Sequence, residues 1–250
     1  MRLAGKIALI SGGAQGLGLA IAHRFAEEGA FVFIADLKSE VGNLAVEDIR
    51  KKGGKAFFVS LDVAYEQSWI DALSVVRNQA NRLDILVNNA GINIRESIED
   101  MKVENFDAML AVNVKGPFLG IKHTIPLLRA GGGGSIINMS SVCGLVGHAF
   151  TNEAYTLTKG AITLLTKSIA VRYAKYNIRC NSIHPSTVNT PLVQELFKDP
   201  VKKQERLNEV PLGRLGAESD VANSALFLAS DEAAFLNGVA LPVDGGVTAD

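Results

Sequence analysis

Tyr155 and Lys159 are the two residues whose types and spacing most directly suggest chemistry. On a helix, a separation of four residues places the phenol and the ammonium on one face, one turn apart. A phenol ordinarily loses its proton at about pH 10, and an adjacent cation favours the phenolate and brings proton transfer towards neutral pH. The same spacing also arises by chance, as a half-buried ring beside a solvated charge. The rest of the chain must decide between these interpretations.

Composition limits the kinds of partner. The 250 residues carry 25 basic and 26 acidic side chains, interspersed, for a net charge of −1. This balance argues against nucleic acid or a membrane surface and favours small molecules or further copies of the chain. Cys143 and Cys180 lack metal-ligand spacing, so we expect buried free thiols, no metal site and a cytoplasmic protein. The apolar run at residues 7–10 is too short for a signal peptide or a membrane span.

A glycine-rich turn near the N terminus predicts a dinucleotide site. The β-branched run at residues 6–10 ends at Ser-Gly-Gly-Ala-Gln-Gly-Leu-Gly, residues 11–18, and a helical pattern follows. Glycines at such a turn allow close approach of a ligand, and the helix N-terminus offers N–H groups to a pyrophosphate. A second strand pattern, at residues 30–35, ends in Asp36, where a carboxylate would meet an adenosine ribose. The alternative is that Asp36 caps the helix beginning near Ser39.

Strand and helix patterns alternate along the chain. They predict an α/β fold, a Rossmann-type doubly wound parallel sheet of about seven strands with helices on both faces, in a single domain at residues 1–250. The further strands are expected at residues 56–61, 85–87, 135–139, 178–183 and 239–243, and the further helices at 39–52, 66–81, 103–111, 112–129, 152–176 and 219–229. The charged, proline-containing segment at residues 190–212 is expected to be a surface excursion, either a lid or a solvated helical hairpin.

Small and polar residues follow the predicted strands. Ligands of doubly wound sheets bind beyond the carboxyl ends of the strands, where the winding reverses. The residues in these positions are 11–18, Asp36, Asp62, 88–91, Ser140, Ser141 and 185–190. Each group alone is compatible with an ordinary turn. Together they predict a single crevice, as expected of a dinucleotide site.

These motifs resemble those of the classical short-chain dehydrogenases/reductases, over essentially the whole chain. The family's TGxxxGxG motif matches residues 11–18 with serine in place of threonine, its NNAG motif matches residues 88–91, and its YxxxK motif matches Tyr155 and Lys159. The resemblance implies an oxidoreductase that uses a nicotinamide dinucleotide. It also implies a homotetramer built on the helices expected at residues 112–129 and 152–176.

The resemblance further implies a catalytic tetrad of Asn113, Ser141, Tyr155 and Lys159. Tyr155 would be the general acid/base, and Lys159 would lower the pKa of the tyrosine and bind the nicotinamide ribose. Ser141 would hold the substrate oxygen, and Asn113 would position a water in a proton relay. These roles agree with the chemistry, because a hydride moved to C=O develops negative charge on oxygen, which requires a positioned proton donor.

Two features depart from the family pattern. Ser141 and Tyr155 are 14 residues apart, one more than expected, so the loop at residues 142–154 carries an extra residue and Ser140 is the alternative catalytic serine. The family's proline-glycine after the sixth strand is Pro185-Ser186 here. Val188 and Thr190 still match the positions that contact the nicotinamide carboxamide and the phosphate.

The choice of cofactor follows from Asp36. A carboxylate accepts hydrogen bonds from the ribose hydroxyls of NAD but repels the 2′-phosphate of NADP, so we expect NAD to be preferred. Lys38 softens this preference, whereas Gln15 is neutral where NADP-preferring relatives commonly place a basic residue. Asp62 matches the family's adenine-contacting carboxylate, with a loop-capping role as the alternative. The expected cofactor contacts are Ser11, Gly12, Gln15, Gly16, Leu17, Gly18, Asp36, Leu37, Asp62, Val63, Asn89, Ala90, Gly91, Tyr155, Lys159, Pro185, Val188 and Thr190.

The substrate side is the least determined. Arg95, His148 and Glu153 are candidates for substrate contacts, with a surface salt bridge or solvent exposure as the alternatives. We expect His184 to be a hydrogen-bonded structural histidine. The predicted function is the NAD-dependent interconversion of a secondary alcohol and a ketone. The alternatives are a reductase of 3-oxoacyl thioesters of acyl carrier protein or CoA, and a non-catalytic NAD-binding redox sensor, which would usually lack the tyrosine or the lysine.

Overall fold

The computed structural model describes residues 1–190, 193–194 and 197–249. In this part of the chain, seven parallel strands form one sheet in the order β3-β2-β1-β4-β5-β6-β7. The strands are β1 Ile7–Ser11, β2 Phe31–Asp36, β3 Lys55–Ser60, β4 Ile85–Asn88, β5 Gly134–Met139, β6 Ile178–Pro185 and β7 Ala240–Val243. The winding reverses between β1 and β4, and the predicted Rossmann-type sheet is confirmed.

Helices cover both faces of this sheet. They are α1 Gly16–Glu27, α2 Ser39–Lys51, α3 Glu66–Ala80, α4 Val103–Leu110, α5 Gly116–Ala130, α6 Glu153–Tyr173, α7 Pro200–Asn208 and α8 Glu218–Ala229. A π-helical turn, Ala111–Lys115, joins α4 to α5. The sequence predicted two separate helices here. The backbone stays helical at Leu110 and Lys115 instead, because no glycine or proline interrupts the chain before Gly116. Among the described residues, no helix is long and apolar enough to cross a membrane.

Two apolar layers hold the helices on the sheet. Successive strand residues point to opposite faces, so Ala8 and Ile10 pack against α1 and α8, while Leu9 packs on the other side. Trp69 of α3 fills this second layer, fully buried, and its indole N–H donates to the Val63 carbonyl at 3.0 Å. Burying such side chains fixes the sheet, and therefore the positions of the residues at its carboxyl edge.

The excursion expected at residues 190–212 contains α7. Pro200 occupies the first turn of this helix, and the Asp199 side chain caps it by accepting from the N–H groups of Val201 and Lys202. Residues 191–192 and 195–196 of the excursion lie outside the described residues. Since α7 buries none of its residues fully, contacts at its C-terminal end, rather than an apolar core, must position it over the sheet.

Candidate active site

Tyr155 and Lys159 line a cavity of about 490 Å³ at the carboxyl ends of β4, β5 and β6. Both lie in the first two turns of α6, whose N-terminus is capped by Asn152: the Asn152 side-chain carbonyl accepts from the backbone N–H of Tyr155 at 2.8 Å. The Lys159 Nζ atom is 5.4 Å from the centre of the Tyr155 ring. The helix cap therefore fixes the turn that carries the pair, and the predicted spacing places both side chains in one cavity.

Burial dominates the electrostatics of Lys159. Its side chain is 5% exposed, and the ammonium donates to the Met139 carbonyl at the end of β5, at 2.8 Å. Loss of hydration lowers the pKa of Lys159 to about 8. The ammonium is thus anchored to the sheet and is readily converted to the neutral amine.

Burial also raises the pKa of Tyr155 above its ordinary value, with a further rise from Cys143 and an opposing effect from the guanidinium of Arg95. The sequence predicted that Lys159 would lower this pKa. In the structure the ammonium lies beside the ring and bonds to the Met139 carbonyl, so desolvation outweighs it. The phenol form of Tyr155 is therefore favoured.

The two candidate serines have different surroundings. The Ser140 hydroxyl is buried and donates to the Lys159 carbonyl at 2.9 Å, which fastens the end of β5 to α6. The Ser141 hydroxyl is partly exposed in the cavity; it accepts from the Cys143 N–H at 3.3 Å and lies 3.5 Å from the Pro185 carbonyl. A substrate oxygen can therefore reach the Ser141 hydroxyl with less disruption of existing hydrogen bonds than it can the Ser140 hydroxyl.

Asn113 is buried in the π-helical turn. Its side-chain carbonyl accepts from the Ile92 N–H at 2.8 Å, and its amide donates to the Ile92 carbonyl at 2.8 Å and to the Thr158 hydroxyl at 3.2 Å. Both amide hydrogens are used, so only the carbonyl oxygen of this side chain can accept a further bond, such as one from a water. Asn113 thus joins the segment after β4 to α6.

The glycine turn, residues 11–18, and the segment after β4 are tied together. The Ser11 hydroxyl accepts from the N–H groups of Asn89 and Ala90 at 3.1 and 3.2 Å, and the Asn89 amide donates to the carbonyls of Ser11 and Gly12 at 3.1 and 3.0 Å. Gly12 has φ +63°, and a Cβ there would lie 2.9 Å from the Ala90 Cα. A Cβ on Gly18 would overlap the Gly12 carbonyl.

This turn fits a dinucleotide pyrophosphate. Gly16 has φ +54° with open space around it, and among the described residues no side chain caps the N-terminus of α1 and no acidic residue lies in its first turn. The backbone N–H groups of Gly16 and Leu17 are consequently available to an anion. Leu17 also lines the cavity that contains Tyr155, so the turn and the acid/base pair border one continuous space.

Asp36 lies at the end of β2 beside the glycine turn. Its carboxylate accepts from the N–H groups of Ala14 and Lys38, both at 3.1 Å, while the Lys38 ammonium bonds to the Gln15 side chain at 3.3 Å. These contacts hold the carboxylate where the ribose was expected. Leu37 is exposed, and Val63 is buried against Gly116.

Asp62 has the contacts of a loop cap. Its carboxylate accepts from the Ala64 N–H at 3.0 Å, and its own N–H donates to the Ser68 hydroxyl at 2.9 Å. This is the alternative that the sequence left open, and it leaves one carboxylate oxygen for an adenine.

Two of the three candidates for substrate contacts line the cavity, and the third does not. Arg95 and His148 line the cavity, as do Pro185, Val188 and Thr190. Glu153, the first residue of α6, is exposed and does not line it, because the helix turns this position away from Tyr155. The Ser186 hydroxyl donates to the Asp244 carbonyl at 3.2 Å, so the side chain that replaces glycine is anchored to the C-terminal segment.

Near the cavity, His184 has a structural role, and three further lining residues were not predicted individually. His184 is buried, with Nδ1 2.8 Å from the Ser141 carbonyl and Nε2 2.8 Å from the Ser182 hydroxyl, as expected of a structural histidine. Burial lowers its pKa. Phe150, Arg206 and Glu209 also line the cavity. They were not among the individual site residues predicted from the sequence, because nothing marks Phe150 within its loop, and the charges and spacing of Arg206 and Glu209 resemble those of a solvated surface. Within the described ranges, no His, Cys, Asp and Glu cluster could hold a metal ion.

A family model described as enoyl-(acyl carrier protein) reductase matches residues 12–248. The chain is 45% identical over 245 residues to 2,5-dichloro-2,5-cyclohexadiene-1,4-diol dehydrogenase of Sphingobium indicum, covering 98% of this chain and 97% of the relative. It is 42% identical over 249 residues to cyclopentanol dehydrogenase of Comamonas testosteroni, covering 100% and 99%. It is 39% identical over 253 residues to the NADP-dependent (R)-specific alcohol dehydrogenase of Lentilactobacillus kefiri, covering 99% and 98%.

Solved structures agree with these relatives. The crystal structure of gox2181 superposes with a TM-score of 0.97 at 33% identity, covering 100% of this chain and 98% of the other. The seven-stranded fold of this chain is therefore shared with that protein. Since the family model and these dehydrogenases match nearly the whole chain, the protein belongs to the short-chain dehydrogenase/reductase family.

Proposed function

We propose that the protein is an NAD-dependent oxidoreductase that interconverts a secondary alcohol and a ketone. The observation that carries this proposal is the cavity shared by Ser141, Tyr155, Lys159 and the first turn of α1. A hydroxyl, a phenol and an ammonium there border the same space as free backbone N–H groups suited to a pyrophosphate. Relatives at 42–45% identity that are named as dehydrogenases of a cyclic alcohol and a cyclic diol support it.

The residues of the chain would handle the substrate oxygen and its proton. Ser141 would donate a hydrogen bond to that oxygen, and Tyr155 would give it a proton during reduction or remove one during oxidation. Lys159 would supply positive charge beside the phenol, and Asn113 would hold the segment after β4 in place. The nicotinamide dinucleotide, when bound, supplies the hydride chemistry.

The preference for NAD rests on Asp36. Its carboxylate, held by the N–H groups of Ala14 and Lys38, would accept from the ribose hydroxyls and repel a 2′-phosphate. The ammonium of Lys38 lies beside it but bonds to Gln15. The relative from Lentilactobacillus kefiri is named as NADP-dependent, so the proposed preference for NAD rests on Asp36 and not on overall similarity.

A second candidate is reduction of a 3-oxoacyl thioester; the matching family model is described by another reaction, reduction of an enoyl group, on the same kind of carrier thioester. The relatives named for small cyclic alcohols favour the first candidate. A redox sensor without turnover is disfavoured, because Tyr155 and Lys159 are both present and both face the cavity.

The Tyr155→Phe variant tests the proposed chemistry. It should bind NADH with nearly unchanged affinity, measured by fluorescence, and lose most turnover of cyclopentanol, cyclohexanol or acyclic secondary alcohols, measured by NADH absorbance. Tyr65→Phe, at an exposed tyrosine, is the matched control. Full activity of Tyr155→Phe would exclude the acid/base role. Faster turnover of acetoacetyl-CoA than of any ketone would favour the thioester reductase instead.

We further propose a homotetramer in the cytoplasm, acting on small molecules. The outer faces of α5 and α6 expose large apolar side chains: Phe118, Leu157, Leu164 and Val171. Exposed apolar residues on two neighbouring helices favour contact with further copies of the chain. Sedimentation should show a tetramer that Leu164→Glu dissociates. A dilute, fully active wild-type monomer would contradict this part of the proposal.

A further inference from the structure

Charged and aromatic side chains join the loop before α6 to the C-terminal end of α7 and the residue that follows it. His148 and Phe150 come from the loop, and Arg206 and Glu209 come from the excursion. The Glu209 carboxylate lies 3.6 Å from His148 Nε2 and 3.3 Å from the Arg206 guanidinium. Arg206 also donates to the Phe150 carbonyl at 2.9 Å and stacks 4.5 Å from the centre of the Phe150 ring. We call these four residues the clasp.

The clasp is more than a surface ion pair. The side chains of His148, Arg206 and Glu209 are 13%, 18% and 19% exposed, so water screens their contacts only weakly. His148 Nδ1 is also 3.0 Å from the Thr151 hydroxyl, which fixes the ring within its loop. Partly buried, charge-assisted contacts of this kind hold segments together more strongly than exposed pairs.

Glu209 is the only member of the clasp that contacts charged or ionisable groups on both segments. It accepts from Arg206 on its own segment and faces His148 on the opposite loop. A carboxylate so placed compensates the Arg206 charge at the cavity wall. Loss of its charge leaves a partly buried guanidinium unpaired against the loop.

The same wall carries apolar side chains next to the clasp. Val193, Phe197 and Val210 come from the excursion and line the cavity that contains Tyr155. Because the clasp charges are paired with one another, what this wall offers to a substrate is mainly apolar surface. The position of that surface depends on the docking of the excursion onto the loop, and therefore on the clasp.

We propose that Glu209 determines substrate specificity by closing the clasp. It keeps residues 197–212 docked on the loop at residues 142–154, so that the cavity accepts compact, uncharged, apolar secondary alcohols and rejects bulky ones. This inference rests on the proposed function.

The Glu209→Gln variant keeps the size of the side chain and removes its charge. Catalytic efficiency, kcat/KM, for cyclopentanol should fall about tenfold through KM, as expected for the loss of one charged contact, while kcat/KM for 4-tert-butylcyclohexanol rises. The affinity for NADH should stay within about twofold, because no clasp residue is among the expected cofactor contacts. Glu205→Gln, an exposed glutamate of α7, is the matched control.

Hydrogen exchange measures the docking without any substrate. In Glu209→Gln, amides at residues 145–152 and 200–209 should exchange about tenfold faster than in wild type, and those of β1 should be unchanged. Arg206→Met provides a second route to the open clasp should Glu209→Gln fold poorly. The double variant should lose less than the sum of the two single losses, because both remove the same contact.

The results separate the inference from the function on which it rests. Faster exchange together with the reversed substrate preference supports the clasp. Unchanged exchange, or faster exchange with an unchanged ratio of the two efficiencies, overturns it. A wild-type protein that oxidises no secondary alcohol with NAD overturns the proposed function, and the specificity role of the clasp with it, whereas the exchange experiment still reports on the docking.

Discussion

Replacement of Asp36 by serine should shift the cofactor preference from NAD towards NADP. In the structure, two backbone N–H groups fix the carboxylate beside the glycine turn, so it cannot swing away from a ligand without losing both bonds. NADP would place its 2′-phosphate against this carboxylate. The variant removes the repulsion and, at the same time, a hydrogen-bond acceptor for the ribose of NAD.

The size of the shift follows from Coulomb's law. Two unit charges about 4 Å apart near a protein surface interact by about 4 kcal/mol. Asp36 is partly exposed and the Lys38 ammonium lies nearby, so screening reduces this to about 2–3 kcal/mol. A change of that size alters the ratio of the two catalytic efficiencies by roughly 100-fold.

Steady-state kcat/KM with NAD and with NADP, on one alcohol, measures this ratio. Lys38→Ala is the informative partner variant, because it removes the cation nearest the expected phosphate and should lower the remaining use of NADP. A thermal melt should accompany each assay, since Asp36→Ser leaves the N–H groups of Ala14 and Lys38 without their acceptor. The reasoning is refuted if wild type uses both cofactors equally, or if Asp36→Ser leaves the ratio unchanged.

Substitutions at three further positions test the site. Lys159→Met should abolish turnover yet stabilise the cofactor-free fold by about 1–3 kcal/mol below pH 8, since burial lowers the pKa of Lys159 to about 8 and penalises its charged form. This gain in stability should shrink as the pH rises from 8 towards the ordinary lysine pKa. Thermal melts that show no such trend would count against the prediction. His184→Asn keeps a hydrogen-bond donor at the place where Nδ1 meets the Ser141 carbonyl. Its kcat should be about tenfold higher than that of His184→Gln, while the two variants bind NADH with equal affinity. Equal kcat in both variants would remove any positioning role for the ring. Gly18→Ala should reduce NADH affinity and thermal stability, because its Cβ would overlap the Gly12 carbonyl, and a variant with normal binding would show that the turn adjusts.

Much of the fold, and the residues that meet beside the glycine turn, could be predicted from local patterns in the sequence. The apolar patterns of the strands predicted their boundaries within two residues, and parallel strands bring their carboxyl ends to one edge. Asp36 and the Asn89 segment, far apart in the chain, therefore lie beside the same glycine turn. The predicted free thiols Cys143 and Cys180 are both buried.

The clasp could not be predicted in this way. Phe150 and Arg206 are 56 residues apart and meet only because the loop and the excursion fold over the same strand ends. In sequence, Arg206 and Glu209 are three residues apart in a charged segment, which is the pattern of a solvated helix. The π-helical turn at Ala111–Lys115 was equally hidden, because no residue type marks a widened turn.

The pKa values of Tyr155 and Lys159 depend more on how the two side chains are packed than on their spacing in the sequence. Burial acts on both groups in the direction of neutrality: it raises the pKa of Tyr155 and lowers that of Lys159 to about 8. A phenol in this state keeps its proton at neutral pH and is a weaker acid than an exposed tyrosine, so proton exchange with the substrate oxygen in either direction requires positive charge closer to the phenolic oxygen. Arg95 already acts in that sense, and Lys159 would do so if its ammonium left the Met139 carbonyl for the tyrosine side of the cavity. The four-residue spacing thus brings the two groups together, whereas desolvation and the hydrogen-bond partner of the lysine decide how readily the tyrosine exchanges its proton.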